Sequence, residues 1–268
     1  MKRIVLLVLL ATTAHATVWQ HEATADLTAT QVSLAGWEQG GQEAFSYTSR
    51  VKGTTTAVFF LQSHHRSRLG ATSVEWRTAY KASFGQSSVG GAALRKVDDR
   101  VAADTQLTWL LGSWIDPFVA ASARTQMASG YRYGPKRAVS GFLDPIYLTQ
   151  SAGLGVTFND ELTTRLGAAL REVGTGDYTQ STDWEGGVES VTRLDWDMSE
   201  RTQITGRAEV FTPLPNPVLL IQAEAGLRIK VAEYISATVS LELVKDNATS
   251  DDFQVRQTLG VGLGYRLL

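Results

Sequence analysis

The sequence predicts an all-β fold: one transmembrane, antiparallel, up-and-down β-barrel of about twelve strands, preceded by a signal peptide. Three observations carry this prediction. Apolar and polar residues alternate with period two along many segments, and period two places successive side chains on opposite faces of a strand. Several of these segments exceed the roughly 5–6 residues usual in soluble sheets and reach the roughly 9–11 that cross a bilayer at a tilt. The connections alternate between short and long, as they do between the two ends of a membrane barrel.

The clearest hairpin runs from Lys96 to Gly130. Val101, Ala103, Thr105, Leu107, Trp109 and Leu111 fall on one face, against Arg100, Ala102, Asp104, Gln106 and Thr108. After the turn at 112–116, Val119, Ala121, Ala123, Thr125 and Met127 oppose Ala120, Ser122, Arg124 and Gln126. The rest of the chain repeats this unit.

Taken in order, residues 1–16 read as the signal peptide. A basic Lys2-Arg3, a short apolar run from Ile4 to Ala11 and a small-x-small site at Ala14-His15-Ala16 place cleavage after Ala16. The apolar run is too short to stay as a spanning helix, which takes about 20 residues. Residues 17–25 have no clear period and are expected to form a short periplasmic lead, with the barrel over 26–268. Asp26 to Leu34 is the first strand, closed by the glycine-rich Gly36–Gly41 turn. Phe45 to Leu61 and Val74 to Phe84 follow, joined through His64-His65-Arg66-Ser67. Beyond the central hairpin, strands run through Ile146–Phe158, Leu162–Leu170, Val188–Met198, Ile204–Val210, Leu219–Ile229, Ile235–Leu243 and Phe253–Leu267. With the N-terminus in the periplasm, the short turns at 112–116, 159–161, 199–201 and 233–234 lie on that side. Longer loops at 86–99, 132–144, 174–183, 213–217 and 247–251 lie outside. Trp76, Tyr80, Trp109, Trp184, Trp196 and Tyr265 suit the aromatic girdles of such a barrel.

Composition narrows the alternatives. The chain of 268 residues has no cysteine, which excludes a disulfide scaffold, a Cys-based metal or redox site and a lipid anchor on cysteine. A net charge of −2 gives no electrostatic support to nucleic-acid binding. The mature chain contains no second apolar run long enough for a helix to span a membrane.

Three local patterns carry a resemblance: Gly36-Trp37-x-x-Gly40-Gly41-x-x-Ala44, Lys96-x-Asp98-Asp99-Arg100, and Phe142-Leu143-x-Pro145-x-Tyr147-Leu148 leading to Gly153-Leu154-Gly155. Together they resemble a family of uncharacterised bacterial outer-membrane proteins, known only as a domain of unknown function. The resemblance is strongest from Gly36 to Val173. It implies a barrel in the outer membrane and supplies no activity and no catalytic residues. The last strand also resembles the closing strand of outer-membrane barrels, which implies that the barrel insertion machinery reads it, although the chain ends in Leu268 rather than phenylalanine.

The candidate functional residues are those that point inward by phase: Arg50, Arg77, Lys81, Arg100, Asp104, Arg124, Arg165, Arg171, Glu189, Arg193, Arg207, Glu209, Glu224, Arg228 and Arg256. They fit a basic-leaning pore lining that favours anions. They equally fit an interior filled with its own salt bridges. The leading expectation for function is therefore a porin-like channel for a small, anionic solute. The alternative is a closed structural or interaction barrel that presents its outer loops at 86–99 and 132–144. A third reading, a barrel lipid hydrolase, rests on His65 and Ser67 and lacks an Asn or Asp to orient the base. Asp98-Asp99 and Asp251-Asp252 fit calcium ligands or, more simply, strand-start and turn formers. Expected partners are outer-membrane lipid, the insertion machinery and a small solute, with no cofactor, no metal and no enzymatic activity.

Overall fold

The computed structural model describes residues 16–33, 42–60, 73–131, 138–174, 183–215, 219–246 and 250–266. The strands are β1 (Ala16–Val32), β2 (Ala44–Phe60), β3 (Ser73–Val89), β4 (Arg95–Leu110), β5 (Ile115–Thr125), β6 (Gly130–Tyr131) and β7 (Ala138–Ser140). They continue as β8 (Ile146–Thr157), β9 (Leu162–Gly174), β10 (Asp183–Ser199), β11 (Thr202–Pro213), β12 (Leu220–Lys230), β13 (Ile235–Asp246) and β14 (Ser250–Arg266). Twelve of them close into one barrel, each paired with its neighbours in chain order, while β6 and β7 form a separate two-stranded sheet between β5 and β8. β14 returns antiparallel onto β1, from Thr24↔Arg266 to Thr28↔Gly262. Closure removes the unpaired strand edges that would otherwise have to be satisfied by water.

Because the strand number is even, β1 starts and β14 ends at the same rim, called here the terminal rim. The turns at 111–114, 158–161, 200–201 and 231–234 lie on it. Their shortness has local causes. The Asn159 side-chain oxygen accepts the amides of Glu161 (3.1 Å) and Leu162 (2.7 Å), and the Asp116 carboxylate accepts the Leu111 amide at 2.7 Å. The opposite rim carries the connections at 90–94 and 126–145 and is called the loop rim.

Two boundaries differ from expectation. Residues 17–25 are not a lead: β1 runs unbroken from Ala16 and pairs along β2 to Val32↔Ala44. Its start escapes a period search because Gln20, His21 and Glu22 are polar in succession. The span 86–99 is not a loop either. Ser87 pairs with Arg95 and Gln86 with Lys96, leaving only 90–94 as the hairpin tip. Gly90 (φ 61°) and Gly91 (φ 72°) turn the chain there in the left-handed region that favours glycine. The 126–145 connection holds the β6–β7 sheet. Residues 1–15 of the expected signal peptide and the His64–Ser67 segment lie outside the described residues.

The barrel is inverted relative to a soluble fold. Leu166, Val255 and Leu259 face outward and are 58%, 62% and 67% exposed, whereas Arg165 and Glu189 inside are 3% and 2% exposed. Outward-facing aromatics stand toward both rims, with Phe45, Trp184 and Phe253 at the loop-rim ends of β2, β10 and β14 and others at the terminal rim. Trp19 and Trp76 meet edge to face at 6.1 Å over Ala57, their register partner on β2, and Tyr234 stacks on Tyr265 at 6.2 Å. On the interior face, Phe118 is buried opposite Gly153. A Cβ at Gly153 would overlap the Leu166 carbonyl, so glycine alone lets β8 and β9 approach this closely.

Candidate functional site

Like charges face each other across strand pairs at three places among the described interior residues: Lys52 and Lys81 on β2 and β3, and two pairs that are bridged from β4. Arg193 and Arg207 are register partners on β10 and β11, and Glu224 and Glu242 are register partners on β12 and β13. Like charges directly opposite one another destabilise a sheet. β4 resolves both pairs from across the barrel. Its Asp104 carboxylate accepts Arg165 at 2.9 Å, Arg207 at 3.1 Å and Arg193. Arg100 lies four residues earlier on the same face of β4. It donates to Glu242 at 3.0 Å and to Glu224. In the closed ring β12 is the sixth strand from β4 in either direction, so the Arg100–Glu224 pair spans the interior from wall to wall.

Other charges complete the network. Glu224 also takes Lys81 at 2.7 Å, and Glu242 takes Arg256 at 2.6 Å. Glu189 accepts the Ser151 hydroxyl at 2.7 Å and lies 3.5 Å from Arg165, whose guanidinium sits 5.5 Å over the Phe118 ring. The Gln106 side-chain oxygen takes Arg165 at 2.9 Å and Arg193 at 3.4 Å. Glu209 joins Arg207 (3.1 Å) to Arg124 (3.4 Å), and Arg124 donates to Gln222. Nearer the rims the pairs are Arg228 with Asp26, Arg256 with Asp98 at 3.2 Å, and Arg77 with Asp195 at 3.3 Å.

The structure thus brings the predicted inward residues together, apart from two. Arg50 has a buried Nε with no hydrogen-bond partner among the described residues. Arg171 reaches no carboxylate among them and is held 5.2 Å over the Tyr147 ring and 5.7 Å over the Phe211 ring. It lines a narrow cleft of about 20 Å³, room for about one water, at the loop-rim end of the interior. Sequence reasoning missed Asp26, Phe118, Tyr147, Phe211 and Gln222 as participants. Phase could have found Phe118, which shares its face with Ala120, Ser122 and Arg124.

The paired acids at the start of β4 do different work. Asp98 reaches Arg256, while Asp99 accepts the amides of Met127 and Ala128, both at 2.8 Å, and pairs with Lys96 at 2.9 Å. Asp99 stands above the apolar face of β4, which begins at Val101. Partial burial works against its charge, but the Met127 amide, Lys96 and the Ala128 amide outweigh it and hold its carboxyl below the ordinary value.

Two family models match the chain. The one described as "Protein of unknown function (DUF3078)" matches residues 29–131, and the one described as "Protein of unknown function, DUF481" matches residues 146–267. The resemblance to uncharacterised proteins thus divides between two families, one for each part of the barrel. No curated protein matches the chain in sequence. Among solved structures, the translocator domain of the autotransporter NalP from Neisseria meningitidis is similar at 14% identity, over 92% of this chain and 87% of that one, with a TM-score of 0.38. The beta domain of the Bordetella autotransporter Brka is similar at 10% identity, over 94% and 99%, with a TM-score of 0.35. OmpT, an outer membrane protein of Vibrio cholerae, is similar at 8% identity, over 92% and 97%, with a TM-score of 0.32. Nothing of what those proteins do passes to this chain at such scores.

Proposed function

We propose that the protein is a bacterial outer-membrane barrel sealed by its own ion pairs, acting through the surface of its loop rim rather than by passing solutes. The inverted surface supports the membrane location: an apolar exterior and a charged interior are what lipid outside and an enclosed polar core demand. The observation that carries the sealed interior is the bridging from β4. Arg100 and Asp104 together engage β9, β10, β11, β12 and β13, so side chains from facing walls meet instead of lining an open bore. A solute crossing this level would have to unpair buried charges, each costing about 3–5 kcal/mol when its partner is lost. Export through the periplasm belongs to the same proposal.

The test is conductance of the refolded barrel in a planar bilayer. The wild type is expected to be folded and silent, and the double variant Arg100→Ala/Asp104→Ala to admit current. A second reading, passage of a small anionic solute, draws on Arg50 and Arg171, which the acids of the network do not engage. Steady anion-preferring current through the wild type would establish that reading and overturn the sealed one.

A further inference from the structure

Closure of the ring is incomplete along one stretch, between β1 and β14. We propose that this gap is an acceptor site for an extended segment of a second, different polypeptide, which adds to the free edge of β14 as a strand. The joint pairs only from Thr24↔Arg266 to Thr28↔Gly262, although both strands continue toward the loop rim. Continuing that register would set residues 29–32 against 258–261, and these do not pair. On their other sides both stretches are fully engaged, 29–32 with β2 up to Val32↔Ala44, and 258–261 with β13 from Ser240↔Thr258 to Ala237↔Val261. Exposure agrees with a separation: Thr30 and Thr258 point inward by phase, yet both are exposed. The change is abrupt. A Cβ at Gly262 would overlap the Leu27 carbonyl and one at Gly260 the Thr28 side chain, so the joint is tight up to Thr28 and open beyond it.

The place of the gap determines what can fill it. Phe253, Val255, Leu259, Val261, Leu263 and Tyr265 form the outward face of β14, and each is more than half exposed. Leu259 stands at the middle of that row, so the gap opens within the apolar span and not in water at the rim. Gly264 donates its amide to Tyr234, on the β13 side. By the alternation of an antiparallel strand, Leu259 and Val261 turn their amide and carbonyl groups toward the gap. Hydrocarbon offers those groups neither donor nor acceptor, and open sheet edges are not tolerated in it. An acyl chain therefore cannot satisfy this edge, whereas a peptide backbone can, by strand addition. The flanking side chains set the pattern of the incoming strand. It is apolar toward lipid, beside Leu259 and Val261, and small or polar inward, beside Thr258 and Gly260. A second copy of the chain does not suit the edge. Standing the same way in the membrane, it would present a β14 running in the same direction, whereas β14 is antiparallel to both of its present neighbours.

The inference rests on the membrane location proposed above, and not on whether the bore is sealed. Its test exploits the absence of cysteine from the chain. Leu259→Cys places one thiol at the gap, and Leu241→Cys places one on the outward face of β13, which is paired on both sides. The full-length barrels are refolded into phosphatidylcholine vesicles and mixed with a synthetic copy of residues 24–33. That peptide has the required alternation, and it carries a maleimide-activated cysteine in place of Gln31, the position set against Leu259 by the register of the joint. Leu259→Cys is expected to capture it at least fivefold more than Leu241→Cys does, and at least fivefold more than it captures a peptide of the same residues in scrambled order. If Leu259→Cys does not refold, Val261→Cys takes its place, with the peptide cysteine at Ala29. No capture at the gap, or equal capture at the two sites or of the two peptides, would overturn the acceptor edge. So would ready disulfide formation in Gln31→Cys/Leu259→Cys without peptide, because β1 itself would then close the gap. Cross-linked dimers of Leu259→Cys barrels without peptide would overturn the assignment to a different polypeptide. A wild type that does not float with the vesicles would remove the membrane location and the inference with it, a failure distinct from an inserted barrel that captures nothing.

Discussion

Asp104 is the residue on which most of the interior depends, because one carboxylate pairs with three guanidiniums from three strands. Two of those cations, Arg193 and Arg207, face each other across a strand pair and would repel without it. Asp104→Asn keeps the shape of the side chain but leaves Arg193 without a carboxylate among the described residues, and leaves Arg165 and Arg207 with only Glu189 and Glu209. It should destabilise the barrel by about 3–5 kcal/mol, the range for removing one member of a buried ion pair. Arg77→Ala breaks a pair whose acid, Asp195, is 53% exposed, and it should cost no more than about 1 kcal/mol. Denaturant titrations of the two refolded variants would rank them. A reversed ranking would mean that the Asp104 cluster is well hydrated and that water, not Asp104, screens its cations.

At the scale of elements, β4 does two jobs along its length. Its lower part carries Arg100 and Asp104, and its upper part ties down the start of the 126–145 connection through Asp99. Asp99→Ala should speed amide exchange at Met127 and Ala128 while leaving the barrel strands protected, since only those amides lose their acceptor. Acid should have the same local effect. The folded carboxyl titrates below its unfolded value near 3.9, so its contribution is present above that pH and lost as pH falls through the lowered value. The protection of these two amides relative to their intrinsic exchange rates, followed from pH 6 downward, should fall only below about 4, and a fall already near pH 6 would contradict the assignment. β4 also marks how far the fold can be read from sequence. The alternation from Val101 to Leu111 is plain because lipid lies on one side and a polar interior on the other. From Gln86 to Lys96 polar residues occupy both faces, as water on both sides of a projecting hairpin permits, and only backbone pairing identifies the strands. The same holds for β1 around Gln20–Glu22. For the site, phase shows which charges point inward, but it is blind to their pairing. Asp104 and Arg165 are 61 residues apart in sequence, Lys81 and Glu224 are 143 apart, and only closure of the ring brings them together.

The whole molecule is defined by the contrast between its two surfaces, and a gradient along the outer one tests what surrounds it. Leu166 sits on the outward face near the middle of the apolar span of β9, and Met198 sits on the outward face of β10 at the terminal rim. Both are more than half exposed, so in water an arginine at either position would bury no charge and cost little. In a bilayer the two sites separate. Arginine near the midplane costs about 2–4 kcal/mol, while at the interface it costs about 0–1 because the side chain reaches the headgroups. Leu166→Arg should therefore be the costlier change when the barrel is refolded into lipid vesicles, and Met198→Arg nearly silent. Equal and small costs would remove lipid from the outer surface, and with it the reason for an inverted barrel. A cost that rises toward the midplane would place the hydrocarbon around β9 and fix the terminal rim at the water boundary.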